Sequence, residues 1–132
     1  MSLLEWTKQL DIGVPAMNTE HMKLLEIMNR LYDRNEAKCE VPELRALLTE
    51  LGAYTIKHFS DEEAYLATIE YPELAIHKLI HKDLLEKFGR HVTDFDVRGI
   101  LDPAFFGFLK LWLSAHIQGV DMKYGAFSKT IS

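Results

Sequence analysis

Apolar residues recur at helical spacing in four long stretches of the chain, and polar or turn-forming residues separate these stretches. The first stretch predicts a helix that begins at Asn18 or Thr19, because either side chain is a good N-cap, and that ends in the polar residues 33–40. Its apolar stripe consists of Leu24, Leu25, Met28, Leu31 and Tyr32. In residues 1–18 the apolar positions lack helical spacing, so we expect an irregular arm whose Trp6 packs onto the helices.

The second and third stretches predict two further helices that meet at Tyr71-Pro72. The second helix is expected to open with Pro42 in its first turn, where the missing N–H does no harm. Its inward row is Leu44, Leu47, Leu48, Leu51, Tyr54, Tyr65, Leu66 and Ile69. The inward row of the third helix is Leu74, Leu84, Leu85 and Phe88. Gly89 is the expected end or weak point of this helix, and a loop from about His91 to Leu101 follows.

The fourth stretch predicts a helix with Asp102 as N-cap and Pro103 at its first position. Its inward residues are Phe105, Leu109, Trp112, Leu113, Ile117 and Val120. The tail after Asp121 is expected to add a short turn. Four helices with short connections predict an all-α fold, an antiparallel up-down-up-down four-helix bundle with an irregular N-terminal arm, forming one domain over residues 1–132. A three-helix arrangement with a broken first hairpin is the alternative.

Seven ionisable residues interrupt these apolar stripes. Spacings of four residues place His58 with Glu62, and His77 with His81, on one face of their helices. The full set is His21, His58, Glu62, His77, His81, His116 and Asp121. Taken singly, a histidine on an apolar face is usually a hydrogen-bonded core residue. Together they are harder to explain, because one unpaired buried ion costs several kcal/mol against a total stability of about 5–15 kcal/mol.

The predicted topology brings these seven residues to one end of the bundle. They lie near the start of the first and third helices and near the end of the second and fourth, and these four ends coincide in an antiparallel bundle. Clustered imidazoles and carboxylates are typical metal ligands, and two carboxylates can bridge two metal ions. A single zinc ion would leave three groups unused. His91 would lie about 15 Å beyond His81 on an extended helix, so it is interpreted as a surface residue.

Charge and composition exclude other classes of function. The chain has 15 basic and 20 acidic residues, a net charge of −5, and no stripe of Lys or Arg for nucleic acid. The N-terminus lacks the basic start and apolar run of a signal peptide, and no apolar stretch is long enough to span a bilayer. We therefore expect a cytoplasmic protein that binds neither nucleic acid nor membrane. Cys39 is the single cysteine, so an internal disulfide cannot form.

The order of the motifs, a lone His, His-x-x-x-Glu, His-x-x-x-His and His-x-x-x-x-Asp, resembles the hemerythrin family, in particular its bacterial members. The resemblance covers the whole chain and extends to Glu5-Trp6, His58-Phe59, Tyr71-Pro72 and Trp112-Leu113. It implies a non-haem centre of two iron ions with an oxo or hydroxo bridge. His77, His81 and His116 would bind one iron, His21 and His58 the other, and Glu62 and Asp121 would bridge them. The two-histidine iron would keep an open position for reversible binding of molecular oxygen, with no catalytic residue.

The resemblance also implies the residues around the irons. Phe59, Trp112, Leu113 and Ile117 are expected to line the oxygen pocket, and Tyr124 corresponds to the family's tyrosine just outside the metal ligands. On the fourth helix, Trp112 and Leu113 lie one turn before His116 and should cover the same face.

The chain departs from the family pattern at three positions. Asn18 and Glu20 replace the Asp and Gln that members often have before the first histidine, which leaves the hydrogen bonds near His21 open. Leu66 stands where many relatives have Met, a change that conserves volume.

Other functions remain as alternatives. One is a di-iron peroxidase, oxygenase or ferroxidase, although the Glu-x-x-His pairs of ferritin-like sites are missing from the sequence. Another is a sensor of oxygen or nitric oxide, which we would expect to act through a separate partner protein because the sequence after Asp121 is too short for a signalling domain. A third is a bundle that uses metal only for structure, which an open iron position would argue against. Nitric oxide and small anions are further candidate ligands of the open position.

Overall fold

The computed structural model describes residues 3–131, and they form helices without any strand. A 3-10 turn at Lys8–Leu10 precedes α1 (Pro15–Glu36), α2 (Val41–Thr68), α3 (Leu74–Arg98), α4 (Pro103–His116), a π-helical segment (Ile117–Asp121) and α5 (Met122–Thr130). Helix α1 packs against α2 and α4, and α2 packs against α3. The predicted four-helix bundle is confirmed, and the three-helix alternative is wrong.

Helix α1 begins at Pro15, earlier than the sequence predicted. Val14 is at the N-cap and makes no capping hydrogen bond, because its side chain has no polar atom; Pro15 follows at the first helical position, which its fixed φ suits. Asn18, one of the two predicted caps, is used elsewhere. Its Oδ1 accepts a hydrogen bond from the backbone N–H of Ile12 at 3.1 Å, and its Nδ2 donates to Asp11 at 2.7 Å. Asn18 therefore fastens the N-terminal arm to the bundle.

Helix α3 continues well beyond Gly89, so the predicted loop from His91 to Leu101 is wrong. The helix ends at Gly99, which adopts a left-handed φ of 68° and donates its N–H to the carbonyl of Phe95 at 2.7 Å. A glycine inside a helix costs only about 1 kcal/mol relative to alanine. Burial of Phe95, which is 1% exposed, outweighs that cost.

Helix α4, the π-helical segment and α5 follow one another without a break and together form the fourth rod of the bundle. This rod begins as predicted, with the Asp102 side chain accepting a hydrogen bond from the N–H of Phe105 at 3.1 Å. It does not end near Asp121. The backbone stays in the right-handed helical region at both ends of the π-helical segment, and α5 adds nine residues. The tail is therefore a helix rather than a short turn.

The N-terminal arm packs onto the side of the bundle. Trp6 is half-buried against the core, as predicted, and Leu4 exchanges two backbone hydrogen bonds with the side chain of Asn29. A Cβ atom on Gly125 would lie 2.1 Å from the carbonyl oxygen of Ile12, so this close approach requires glycine. No helix within residues 3–131 combines the length and apolar character needed to cross a membrane.

Candidate metal centre

The structure brings all seven predicted ligand residues together at one end of the bundle, and each is at most 8% exposed. Helix α1 contributes one of them, α2 and α3 two each, and the fourth rod two, at the end of α4 and the end of the π-helical segment. In order they are His21, His58, Glu62, His77, His81, His116 and Asp121. His91 lies outside this cluster. It is half-buried against Phe105 and Phe108, so its interpretation as a surface residue holds only in part.

The two oxygens of Glu62 face different histidines. Oε1 lies 2.7 Å from Nε2 of His77 and 2.9 Å from Nε2 of His81. Oε2 lies 3.4 Å from Nε2 of His21 and 3.3 Å from Nε2 of His58. Glu62 therefore stands between two pairs of imidazoles.

Asp121 repeats this division. Its Oδ1 lies 3.1 Å from Nε2 of His116 and 3.3 Å from Nε2 of His77. Its Oδ2 lies 3.1 Å from Nε2 of His21. The donors thus form a two-histidine group, His21 and His58, and a three-histidine group, His77, His81 and His116, with both carboxylates shared between them. Two sets of atoms within metal-binding distance of one another follow the same division, and both include Glu62.

The π-helical segment explains how His116 and Asp121 reach the same site. In an α-helix, at about 100° per residue, side chains five residues apart point in directions about 140° apart. A π-helical turn closes hydrogen bonds between residues five apart, which brings the two side chains onto one face. The segment covers Ile117–Asp121, directly after His116. The five-residue spacing of the His-x-x-x-x-Asp motif is the only sequence signal for this π-helical turn. The regular α-helical period of the apolar residues does not predict it.

The carboxylates remain ionised despite their burial. Burial alone would raise the pKa of Glu62, but hydrogen bonds from the surrounding imidazoles hold it well below its usual range. Burial and the charge of Glu62 would also raise the pKa of Asp121, and contacts with His116 and His21 lower it instead. Burial lowers the pKa of His58 and His77, but neighbouring carboxylates outweigh it and raise both to about 9. In the metal-free chain, protonated imidazoles, including those of His58 and His77, balance the two buried carboxylates, and a bound metal cation would take the place of their protons.

Several atoms of the cluster lack a hydrogen bond. Among the described residues, both oxygens of Asp121, both ring nitrogens of His21 and Nε2 of His116 are buried without a hydrogen-bond partner. Buried polar atoms are normally paired, and unpaired ones are costly. Imidazole nitrogens and carboxylate oxygens are common ligands of iron ions. The residues present therefore fit a metal site.

Side chains outside the cluster orient its imidazoles and carboxylates by hydrogen bonds. The hydroxyl of Tyr124, which was predicted to lie just outside the metal ligands, donates to Oε2 of Glu62 at 2.7 Å. Burial and the nearby carboxylates raise the pKa of Tyr124 well above its usual range, so it keeps its proton.

Two glutamates support histidines in the same way. Nδ1 of His58 lies 2.7 Å from Oε1 of Glu20, and Nδ1 of His81 lies 2.8 Å from Oε2 of Glu63. Glu20 therefore serves His58 rather than its chain neighbour His21. From the sequence, Glu20 was only a departure from the family pattern, and Glu63, which directly follows the candidate ligand Glu62, had no predicted role.

The four predicted pocket residues are buried, with exposures from 0 to 4%. The ring of Phe59 stacks on the imidazole of His81, with centroids 3.7 Å apart and planes 3° apart. The ring of Trp112 lies 6.0 Å from that of Phe59. Leu113 and Ile117 belong to the apolar core beside His116. A groove of about 660 Å³ between α3 and α4 also reaches Trp112 and His116.

Comparisons with known proteins identify the family of this chain. The model of the hemerythrin HHE cation-binding domain matches residues 12–127. The chain is 33% identical to a bacteriohemerythrin of Clostridium acetobutylicum, over 90% of this chain and 96% of that protein. It is 30% identical to a myohemerythrin of Riftia pachyptila, over 90% and 88% of the two chains. A wild-type hemerythrin crystal structure superposes with a TM-score of 0.85 at 26% identity, covering 95% of this chain and 97% of that one. The chain belongs to the hemerythrin family.

Proposed function

We propose that the two donor groups hold two iron ions and that the centre binds molecular oxygen reversibly, for storage or delivery. The observation that carries this proposal is the division of oxygens: Glu62 directs one oxygen to each donor group, and so does Asp121. A carboxylate with one oxygen on each of two imidazole groups is suited to bridge two metal ions. Donors come from all four rods of the bundle, which favours a single functional domain.

The unequal number of imidazoles indicates where a ligand would bind. His77, His81 and His116 would hold one iron, and His21 and His58 the other, with both carboxylates as bridges. The second iron then has one fewer protein ligand and keeps an open position. When bound, a reduced iron pair supplies the electrons that oxygen binding requires. Nitric oxide and small anions are further candidate ligands of the same position.

The chain's own residues favour binding over turnover. Phe59, Trp112, Leu113 and Ile117 carry no titratable group and are buried, so as a pocket lining they exclude water and supply no acid or base. The hydroxyl of Tyr124 is engaged with Glu62. Its proton therefore serves to orient a bridging carboxylate. The names of the relatives, bacteriohemerythrin and myohemerythrin, support the same function.

Iron analysis and absorption spectroscopy test this proposal. Protein expressed with ample iron should contain two irons per chain. After anaerobic reduction, a visible band should appear on exposure to air and disappear when oxygen is removed. Asp121→Asn, which keeps the shape of a proposed bridge but removes its charge, should lose iron. One zinc per chain, or a band that forms in air and does not reverse, would overturn reversible oxygen binding at a di-iron centre.

A further inference from the structure

In each donor group, one imidazole donates its Nδ1 proton to a carboxylate that is not among the seven candidate ligands. In the two-histidine group, Nδ1 of His58 donates to Glu20 at 2.7 Å. In the three-histidine group, Nδ1 of His81 donates to Glu63 at 2.8 Å. Both bonds leave the proton on Nδ1, so the Nε2 atoms that face Glu62 are the ones free to bind metal.

The two groups depend on these carboxylates to different degrees. Among the described residues, Nδ1 of His21 has no hydrogen-bond partner. Glu20 is therefore the carboxylate that orients the two-histidine group from outside, where only two imidazoles are available. Glu63 supports one imidazole of three.

The surroundings of Glu20 hold its carboxylate in place. Glu20 lies on α1 and His58 on α2, so their hydrogen bond crosses between two helices. The second oxygen of Glu20 lies 3.6 Å from Nζ of Lys57, which also binds Asp61 at 2.7 Å. Glu20 is only 15% exposed, so solvent screens its charge less than that of a surface glutamate.

We propose that Glu20 is a positioning residue that strengthens the metal site of the two-histidine group through His58, an inference that rests on the proposed function. The carboxylate attracts the Nδ1 proton of His58, which fixes the ring orientation and makes Nε2 a stronger electron donor. Substitution of such outer partners typically lowers metal affinity by about 10–100-fold. The effect should be confined to one of the two metal ions.

Two variants of Glu20 separate charge from hydrogen bonding. Glu20→Gln keeps an oxygen that accepts the Nδ1 proton but removes the charge, whereas Glu20→Ala removes both. Glu63→Gln should weaken the other site. Glu26→Gln is the matched control, because Glu26 lies on the same helix, carries the same charge and is 56% exposed.

The experiment titrates the metal-free full-length chain with Co(II) against a chelator and records imidazole N–H signals of the zinc-bound protein by NMR. In Glu20→Ala, one of two affinities should fall about 10–100-fold while the other is unchanged. The His58 Nδ1–H signal should lose its protection from exchange. Glu20→Gln should lie between this variant and the wild type, and Glu26→Gln should match the wild type.

Each negative result of this experiment rejects a different claim. Unchanged affinities in Glu20→Ala, or an equal loss at both sites, would overturn the role of Glu20. A wild-type chain that binds a single metal ion would instead overturn the two-iron proposal. The His58 signal then still decides on Glu20, because it reports the hydrogen bond whatever the number of ions. An identical signal in the wild type and in Glu20→Ala would reject the inference.

Discussion

The phenolic hydroxyl of Tyr124 donates a hydrogen bond to Oε2 of Glu62 at 2.7 Å, although the two residues are 62 positions apart. The bond joins α5 to α2, and both side chains are fully buried. Tyr124 thus ties the last helix of the chain to a shared carboxylate of the candidate metal centre. The length of the fourth rod, through the π-helical segment into α5, is what allows this contact.

Tyr124→Phe should destabilise the protein by about 1.5–3 kcal/mol, because it removes a hydrogen bond to a buried charged group. Iron content should stay the same, since no proposed ligand is removed. Chemical denaturation of the iron-bound protein measures the loss. Tyr65→Phe is the matched control. The Tyr65 hydroxyl binds Ser128 at 2.6 Å in a half-buried position, and a neutral bond is worth only about 0.5–1.5 kcal/mol. A loss in Tyr124→Phe no larger than in this control would contradict the prediction.

Two histidines of α3 should differ sharply in their effect on iron content. His77→Ala removes a nitrogen that lies 2.7 Å from Glu62 and should lose much of the iron. His91→Ala should keep all of it, because His91 packs against Phe105 and Phe108 far along the helix. Its effect should be a modest loss of stability. Iron per chain, measured on both purified variants, checks this prediction, and equal losses would refute it.

The clustering of the candidate ligands was predictable from sequence because α-helical spacing relates the position of a residue directly to the direction of its side chain. Residues four apart on a regular helix share a face, so His58 with Glu62, and His77 with His81, could be assigned to the core without a structure. The antiparallel order of the helices then places the histidines and carboxylates of all four rods at one end of the bundle. Both steps use only local geometry and the order of the helices.

The features that the sequence did not predict depend on tertiary packing. Gly89 is a weak helix former, yet α3 passes through it because Phe95 is buried further along. The π-helical segment departs from the regular period on which the prediction relied. The hydrogen bonds of Glu20 and Glu63 cross between helices, and their partners depend on packing that no spacing within one helix reveals.

The metal-free protein should lose stability as the pH rises through about 9. The pKa values of His58 and His77 are raised from 6.5 to about 9 in the folded chain. A raised pKa stabilises the fold fully below the unfolded value of 6.5, and this contribution disappears as the pH passes 9. Denaturation midpoints of metal-free protein at pH 6 and pH 9.5 test the effect. In the iron-bound protein these imidazoles would be metal ligands, so its midpoint should change less across this range. A higher metal-free midpoint at pH 9.5 would contradict the sign.

Metal binding should release protons for the same reason. Imidazoles that are protonated at neutral pH must lose their protons before they bind a metal ion, so apparent affinity should rise with pH between 6 and 9. Titration with Zn(II) in a weakly buffered solution that contains a pH indicator measures the release. Binding without any release of protons would show that the histidines are already neutral in the metal-free protein.

Leu113 provides the test of the pocket lining. It is 2% exposed and lies one helical turn before His116, where a side chain that excludes water would protect the oxygenated protein from decay to the ferric form. Leu113→Ala should cost about 2–5 kcal/mol in stability if the cavity stays open. Oxygen should still bind, but the oxygenated absorption band should decay faster in air, with little change in iron content. Leu109→Ala is the matched control, because Leu109 is 0% exposed on the same helix one turn further from His116. A loss of stability alone would accelerate decay of the oxygenated form in both variants. Only a faster decay in Leu113→Ala than in Leu109→Ala supports the place of Leu113 over the open iron position. Equal decay rates in the two variants would show that Leu113 does not line the pocket.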